Sequence, residues 1–447
     1  MRLIGGNISD QAIKRISTGS AFHIGSGATA EPDHVAFGTP TSSAEFSDIV
    51  TPYGSQLQHY YNGCWDFVQW GENSVGIFYI DNSDSNKLKY VHLQFNSGTG
   101  ALSSQGSEVD LGSDVTGGNA AYLGLEVDKV SSTRCLVWYL NGNSTRNVNL
   151  VTYDKDSDSV TKHGAVQTDN TSVNSTKAFN GFSHCVIDAD HAFAGTTTTS
   201  NTREGTIFKF TTTQSIGTTV DSSVANAGSD FAIGLAEYDS GSSKIFDSDG
   251  RKFYGEWTHS GTTITYGQTL STTTHGGQNY YGHETYLGYR HDIEAGRRIS
   301  IASDCVMDVT RSHVAPWAAC RGRVNKDIGL MHSNRWDQNT ASFNTNYWNR
   351  RAVRVDYDES TYWERFVAVH RGPSNGVALL PFKVNWNTLD ACPVGNNSED
   401  LEISDTDLDG TIPSLCFITG TGKKAIFIIF PQAANQPGRY LSVPITI

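Results

Sequence analysis

The sequence is short of charge and of long apolar runs. Only 18% of its residues are Asp, Glu, Lys or Arg, and no stretch reaches the roughly 18 uninterrupted apolar residues of a membrane-spanning helix. The basic residues are scattered, with no cluster longer than a pair or a loose trio, so the concentrated basic face that a phosphate backbone requires is missing. Nucleic acid and membrane are therefore not expected as partners, and the formal net charge of -13 chiefly favours solubility. The opening segment MRLIGGNISDQAIKRISTGSAF has no apolar run of signal-peptide length, from which we expect synthesis and folding in a reducing cytosol. The seven cysteines (Cys64, Cys135, Cys185, Cys305, Cys320, Cys392, Cys416) agree: odd in number, far apart and never spaced C-x-x-C, they read as small buried hydrophobes. No nucleophile elbow, H-E-x-x-H, P-loop or glycine fingerprint leading from strand to helix is expected here, which leaves an enzyme the less favoured reading.

What the chain has is turn-forming residues. Its 44 glycines, with abundant Ser, Thr and Asn and 37% apolar residues, suit short strands and tight turns, whereas long helices need more Ala, Leu, Glu and Lys. At 447 residues there is room for several ordinary domains or for one large all-β domain. The N-x-S/T triplets at Asn143, Asn170 and Asn174 read as polar turns.

A cadence recurs. YYNGCWDFVQWGENSVGIFYID from Tyr60, AAYLGLEVDKVSSTRCLVWYL from Ala120, AFNGFSHCVIDADHAFAGT from Ala178, DFAIGLAEYDSGSSKIFDSDG from Asp230 and YYGHETYLGYRHDIEAGRRISIASD from Tyr280 share one pattern. Each starts at or near an aromatic, alternates into a short strand, meets a polar turn and begins a second apolar strand. The pattern returns less cleanly from Asn346 and Asp400. Hairpin-like pairs follow, such as NVNLVTYDKDSDSVTKHGAVQTD and RKFYGEWTHSGTTITYGQTLS. The repeat is about fifty to sixty residues with four strands, the content of one propeller blade.

A four-stranded sheet cannot bury both faces alone, so its copies must stack, and closing the stack into a circle protects the edges. The expectation is an all-β fold: a β-propeller of seven four-stranded blades over residues 59–447, with an extended solenoid or two packed sandwiches as alternatives. The fifth unit, Tyr280 to about Thr345, is long enough for an inserted loop around RSHVAPWAACRGRVNKD. Residues 1–58 fit no blade and read as an extended N-terminal arm or a disordered leader. As an arm, it can lend a strand to RYLSVPITI at the far end of the chain and fasten the ring.

Three groups of residues invite chemistry. In and around YYGHETYLGYRHD, His275, His283 and His291 are evenly spaced on one face of a continuous strand. At about 3.3 Å per residue, neighbours eight apart lie roughly 26 Å from one another, too far to share a metal unless the chain folds back at Gly282 or Gly288. Trp65, Trp70, Tyr280, Tyr281, Tyr286, Tyr289, Trp348 and Trp363 recur near blade starts, where they either wedge blades together or stack on sugars through the ring face. SDTDLDGTI places Asp405, Asp407, Asp409 and Thr411 in a D-x-D-x-D-G run able to converge on calcium, or else in an acidic solvated turn. The match to an EF-hand loop stops there, because Pro413 stands at the ninth position and Cys416 at the twelfth. YDKDSDSV and FDSDGRKF read as hairpin turns.

The extended leader MRLIGGNISDQAIKRISTGSAFHIGSG, strings such as QFNSGTGALSSQG and FKFTTTQSIGTT, and the degenerate blades resemble propeller virion proteins of tailed bacteriophages. That resemblance implies a non-enzymatic tail, fibre or capsid-associated part, homo-oligomeric and held on the particle through contacts of the arm with other virion proteins, with loops offered to host-surface glycans. A glycan-binding propeller lectin is the alternative, and a sialidase-like or polysaccharide-active enzyme a third reading. Sialidase propellers carry S-x-D-x-G-x-T-W boxes, of which SDTDLDGTI lacks the spacing and the Trp.

Overall fold

The run Cys135-Leu136-Val137-Trp138-Tyr139 is apolar without alternation, and in a strand that pattern requires cover on both faces. The computed structural model supplies it. It describes the backbone of strands between Ala36 and Thr446 and, at side-chain level, chiefly residues 66–79, 87–96, 102–112, 127–139, 147–169, 186–195, 204–211 and 258–265. In strand Arg134–Asn141, Cys135, Val137 and Tyr139 point into one core cluster and Leu136 and Trp138 into another. The first cluster joins them to Val68, Trp70, Phe78, Leu88 and Tyr90 of the preceding sheet. The second joins them to Ala192, Ala194, Phe208 and Phe210 of the following one. The second sheet is thus a layer between two neighbours, with a core junction on each side.

The fold is all-β with antiparallel sheets. Among the described residues, seven sheets of four or five strands follow one another along the chain, with a further two-stranded pair, Asn279–Tyr281 with Cys305–Met307. The first comprises Trp65–Gly71, Ser74–Asp81, Lys87–Phe95 and Leu102–Gln105, with Val109–Asp110 beside its third strand. The second comprises Glu126–Lys129, Arg134–Asn141, Asn147–Asp156 and Ser159–Thr168. The third comprises Phe182–Val186, His191–Thr197, Arg203–Lys209 and Ser215–Asp221. The fourth runs from Gly234–Glu237 to Thr263–Thr269, the fifth from Glu284–Tyr289 to Met331–Gln338, and the sixth begins at Arg351–Asp358. The seventh is Ser414–Gly420, Lys423–Pro431 and Gly438–Thr446. The first strand of each sheet lies beside the first strand of the next, and Ser414–Gly420 lies beside Trp65–Gly71.

The seventh sheet completes itself from the other end of the chain. Ala36 pairs with Thr446 and Phe37 with Ile445, and Ala44 pairs with Tyr440 and Glu45 with Arg439. The strand expected from the N-terminal segment is therefore present, laid on the outer edge of RYLSVPITI. It is needed because Leu401–Ile403, from the stretch DLEISD that looked like a seventh start, pairs with Val377–Asn385 of the sixth sheet instead.

Two other expectations are corrected. RSHVAPWAACRGRVNKD is not an inserted loop, for Trp317–Val324 within it pairs with both Arg297–Ala302 and Met331–Gln338 as an interior strand. The continuous strand expected across YYGHETYLGYRHD is broken: Asn279–Tyr281 and Glu284–Tyr289 are separate strands with different partners, and His275, His283 and His291 lie outside the described residues. The turns in YDKDSDSV and FDSDGRKF do close hairpins, with Asp156 opposite Ser159 and Asp249 opposite Lys252. Positive φ falls at Ser157 (56°) and, in the matching hairpin of the fourth sheet, at Gly261 (58°), as the first loop position of a type II′ hairpin requires. Among the described residues, no helix is long and apolar enough to cross a membrane.

Candidate functional site

Polar side chains that reach the junctions are the candidates for chemistry, because burial there raises the stakes of every hydrogen bond. Between the first and second sheets, Trp70 Nε1 donates to the Tyr90 hydroxyl at 2.9 Å. Tyr90 lies 3.2 Å from His92 Nδ1, and Ser74 Oγ lies 3.1 Å from His92 Nε2. The chain is possible because Gly76 leaves the space: a Cβ there would stand 2.5 Å from both Trp70 Nε1 and the Tyr90 ring. The second sheet closes over the group. Lys155 sits above the Trp70 ring at 5.9 Å, Lys129 donates to the Trp70 carbonyl at 3.1 Å, and exposed Asp158 comes to 3.8 Å of His92 Nε2.

A serine beside a histidine suggests nucleophilic catalysis, but the protons run the wrong way. The arrangement that gives every buried hydrogen a partner has the Tyr90 hydroxyl donating to Nδ1, which leaves the ring proton on Nε2, donating to Ser74. A general base for Ser74 needs a bare Nε2. Burial, followed by the Lys155 charge, holds His92 below the ordinary histidine range, so the ring is neutral at neutral pH. Burial likewise pushes the Tyr90 phenol up. The group is a structural relay.

The next junction carries a tighter one. Asp128, on the first strand of the second sheet, accepts from Trp138 Nε1 at 2.9 Å and sits 2.5 Å from His184 Nδ1 on the first strand of the third. The His184 ring stacks on Trp138 at a centroid distance of 5.1 Å. The preceding pair of sheets is stitched in the same manner, Asp66 Oδ2 accepting from the backbone N–H of Val127 at 2.7 Å. Farther out, Thr206 donates to buried Asp169 at 2.6 Å and Gln167 donates to the Lys209 carbonyl at 2.7 Å.

Two clusters lie on the rim. Asp84, Glu108 and Asp110 surround Lys87 and Lys89, and Tyr79 donates to Glu108. Burial opposes the charge of Lys89, yet Asp84 and Glu108 hold it above the ordinary lysine range. Arg134 grips Asp154 at 2.7 and 3.1 Å, and His163 joins at 2.8 Å; this grip holds Asp154 below the usual carboxylate range. Both clusters fasten edge strands. Cys135 is buried and its thiol is pushed far up, as expected of a cysteine used for packing.

The rings expected to bind ligand divide. Trp70 is a core residue, 3% exposed, and offers no face for a sugar to stack on. Trp65 and Trp363 each open a strand, Tyr280 and Tyr281 belong to Asn279–Tyr281, and Tyr286 and Tyr289 to Glu284–Tyr289. Trp348 and the run Asp405, Asp407, Asp409 and Thr411 lie outside the described residues. Among the described residues, no group of three ligating side chains is placed to hold a metal. The letters G-x-S-x-G do occur, in GPSNG from Gly372, contrary to the expectation of no such motif. They stand between Trp363–Arg371 and Val377–Asn385, two strands paired with each other, whereas a nucleophile elbow leads from a strand into a helix. The junction groups escape sequence reading because their partners are remote: 56 positions separate Asp128 from His184.

No family model matches the chain, and no curated protein sequence does. Among solved structures, the chain is similar to the polysaccharide lyase Uly1 at 8% identity, over 90% of this chain and 99% of that one, with a TM-score of 0.47. It is similar to the WD40 domain of SCAP from fission yeast at 9% identity, over 92% and 98%, with a TM-score of 0.36. It is also similar to a sialidase of Trypanosoma rangeli, solved in complex with the inhibitor DANA, at 9% identity over 90% and 60%, with a TM-score of 0.38.

Proposed function

We propose that the chain is a seven-bladed β-propeller, fastened by its own N-terminal segment, and that it serves as a non-enzymatic structural part of a tailed-phage virion, in the tail, a fibre or the capsid surface. One observation carries the reading: the first strands neighbour one another in chain order and the seventh sheet returns to the first, with residues from the N-terminal segment as its outermost strand. Such a ring has few frayed ends, and its loops vary without cost to the core, which suits a rigid disc displayed on a particle. The polar side chains described above support the same reading, since they fasten sheet to sheet. The arm before Ala36 is assigned to other virion proteins, copies of the chain to a homo-oligomer imposed by the particle, and the outward loops to host-surface glycans, with Asp405, Asp407, Asp409 and Thr411 as a calcium loop.

The test is immunogold labelling of purified particles of the phage that encodes the chain. Label at one fixed place on intact particles is expected. Abundant chain in the lysate with none on purified particles would overturn the virion role. The lectin alternative is separated by a glycan array run with and without a calcium chelator, in which strong binding by the free chain favours it.

A further inference from the structure

Asp188, His191 and His259 form a polar group at the junction of the third and fourth sheets that the proposed function does not use. His191 begins strand His191–Thr197, and His259 is the penultimate residue of Lys252–Ser260. Their rings face across the junction with centroids 6.1 Å apart and planes at 44°. The fourth-sheet hairpin is seated closely: a Cβ on Gly217 of the third sheet would fall 1.5 Å from the Thr262 carbonyl oxygen.

The two imidazoles are prepared differently. Asp188 is fixed by the backbone N–H groups of Asp190 and His191, both 2.7 Å from its Oδ1. Its two oxygens each lie 3.1 Å from His191 Nδ1. A ring nitrogen held by a carboxylate carries the proton, so the Nε2 of His191 presents a lone pair. Both ring nitrogens of His259 are buried without a hydrogen-bond partner; the backbone of Gly261 comes near enough to act on the ring but misses hydrogen-bond geometry. A lone pair is thus available on each side of the junction.

We propose that His191 and His259 together bind a divalent transition ion of borderline softness, zinc, nickel or copper, across this junction, with Asp188 fixing the tautomer of His191. Imidazole suits these ions, and a carboxylate behind a ligating histidine is their usual support. At a metal–nitrogen distance of about 2.0–2.1 Å, two rings on one ion have centroids roughly 5–6 Å apart, so the pair needs little closing. Two protein ligands with water completing the shell make a weak clasp and not a closed structural site.

The experiment uses the full chain without a histidine tag, stripped with chelator and titrated separately with zinc, nickel and copper. Calorimetry and thermal melting are read together, with copper(II) EPR to count nitrogen ligands. One saturable equivalent, a raised melting temperature and two equatorial nitrogens are expected, abolished by His259→Ala and weakened about tenfold or more by Asp188→Asn. If His259→Ala fails to fold, His191→Gln serves the same purpose. Binding unchanged in these variants would assign the ion to other histidines and overturn the proposal, as would no binding by the parent chain.

Discussion

Tyr90 holds the first junction together, accepting from Trp70 and donating to His92. Removing its hydroxyl strands a buried indole N–H, and Tyr90→Phe is expected to destabilise by about 1–3 kcal/mol in denaturant unfolding, with the fold kept. Gly76→Ala acts on the same space from the other side. The added methyl meets the Trp70 and Tyr90 rings, and overpacking of about 1–3 kcal/mol is expected, read as a lower midpoint at unchanged slope. Ser157 has the opposite prospect. A side-chain-bearing residue at φ 56° is strained, so Ser157→Gly should gain up to about 1 kcal/mol.

The histidines make stability depend on pH with a definite sign. His92 and His259 are both held below the ordinary value of about 6.5, so near and below that pH the unfolded chain binds more protons than the folded one. Stability is then lost as pH falls from about 7 toward 5, and a melting series should show it, with His92→Gln flattening part of the slope. The depressed carboxyls act elsewhere. Asp154 contributes stability present above about 3.9 and lost only as pH falls further, so it leaves the histidine window untouched.

At the scale of elements, hairpins were the most legible part of the sequence. VTYDKDSDSVTKH alternates, turns and alternates again within 13 letters, and the structure places Asp156 opposite Ser159 as those letters imply. The run CLVWYL was legible as an apolar strand, and the structure adds that it is covered on both faces. Illegible were assignments decided by distant partners. Leu401–Ile403 and WAACRGRV have ordinary strand letters, and nothing local says which sheet takes the first or that the second is interior. The junction groups are hidden for the same reason: His184 and Asp128 are unremarkable apart, and only the stacking of sheets brings them together. The outer edge of Gly438–Thr446 gives an element-scale prediction. A deletion ending before Ala36 should fold with an unchanged melting temperature, whereas one running through Glu45 removes both strands from the seventh sheet and should lower it and expose an aggregation-prone edge.

At the scale of the molecule, the account depends on neighbours. Among the described residues, the first two junctions each have an apolar cluster and a polar stitch, so stability accumulates sheet by sheet there, and the seventh sheet lies beside the first. A stack left open would show its first and last sheets to solvent, with the apolar inner strand Ser414–Gly420 (SLCFITG) among the exposed elements. The ring we propose answers that demand. The most direct check is electron microscopy of the purified chain, sorted into top-view class averages. Seven lobes around a central channel are predicted; a different lobe count, or an elongated stack with two free ends, would contradict the ring.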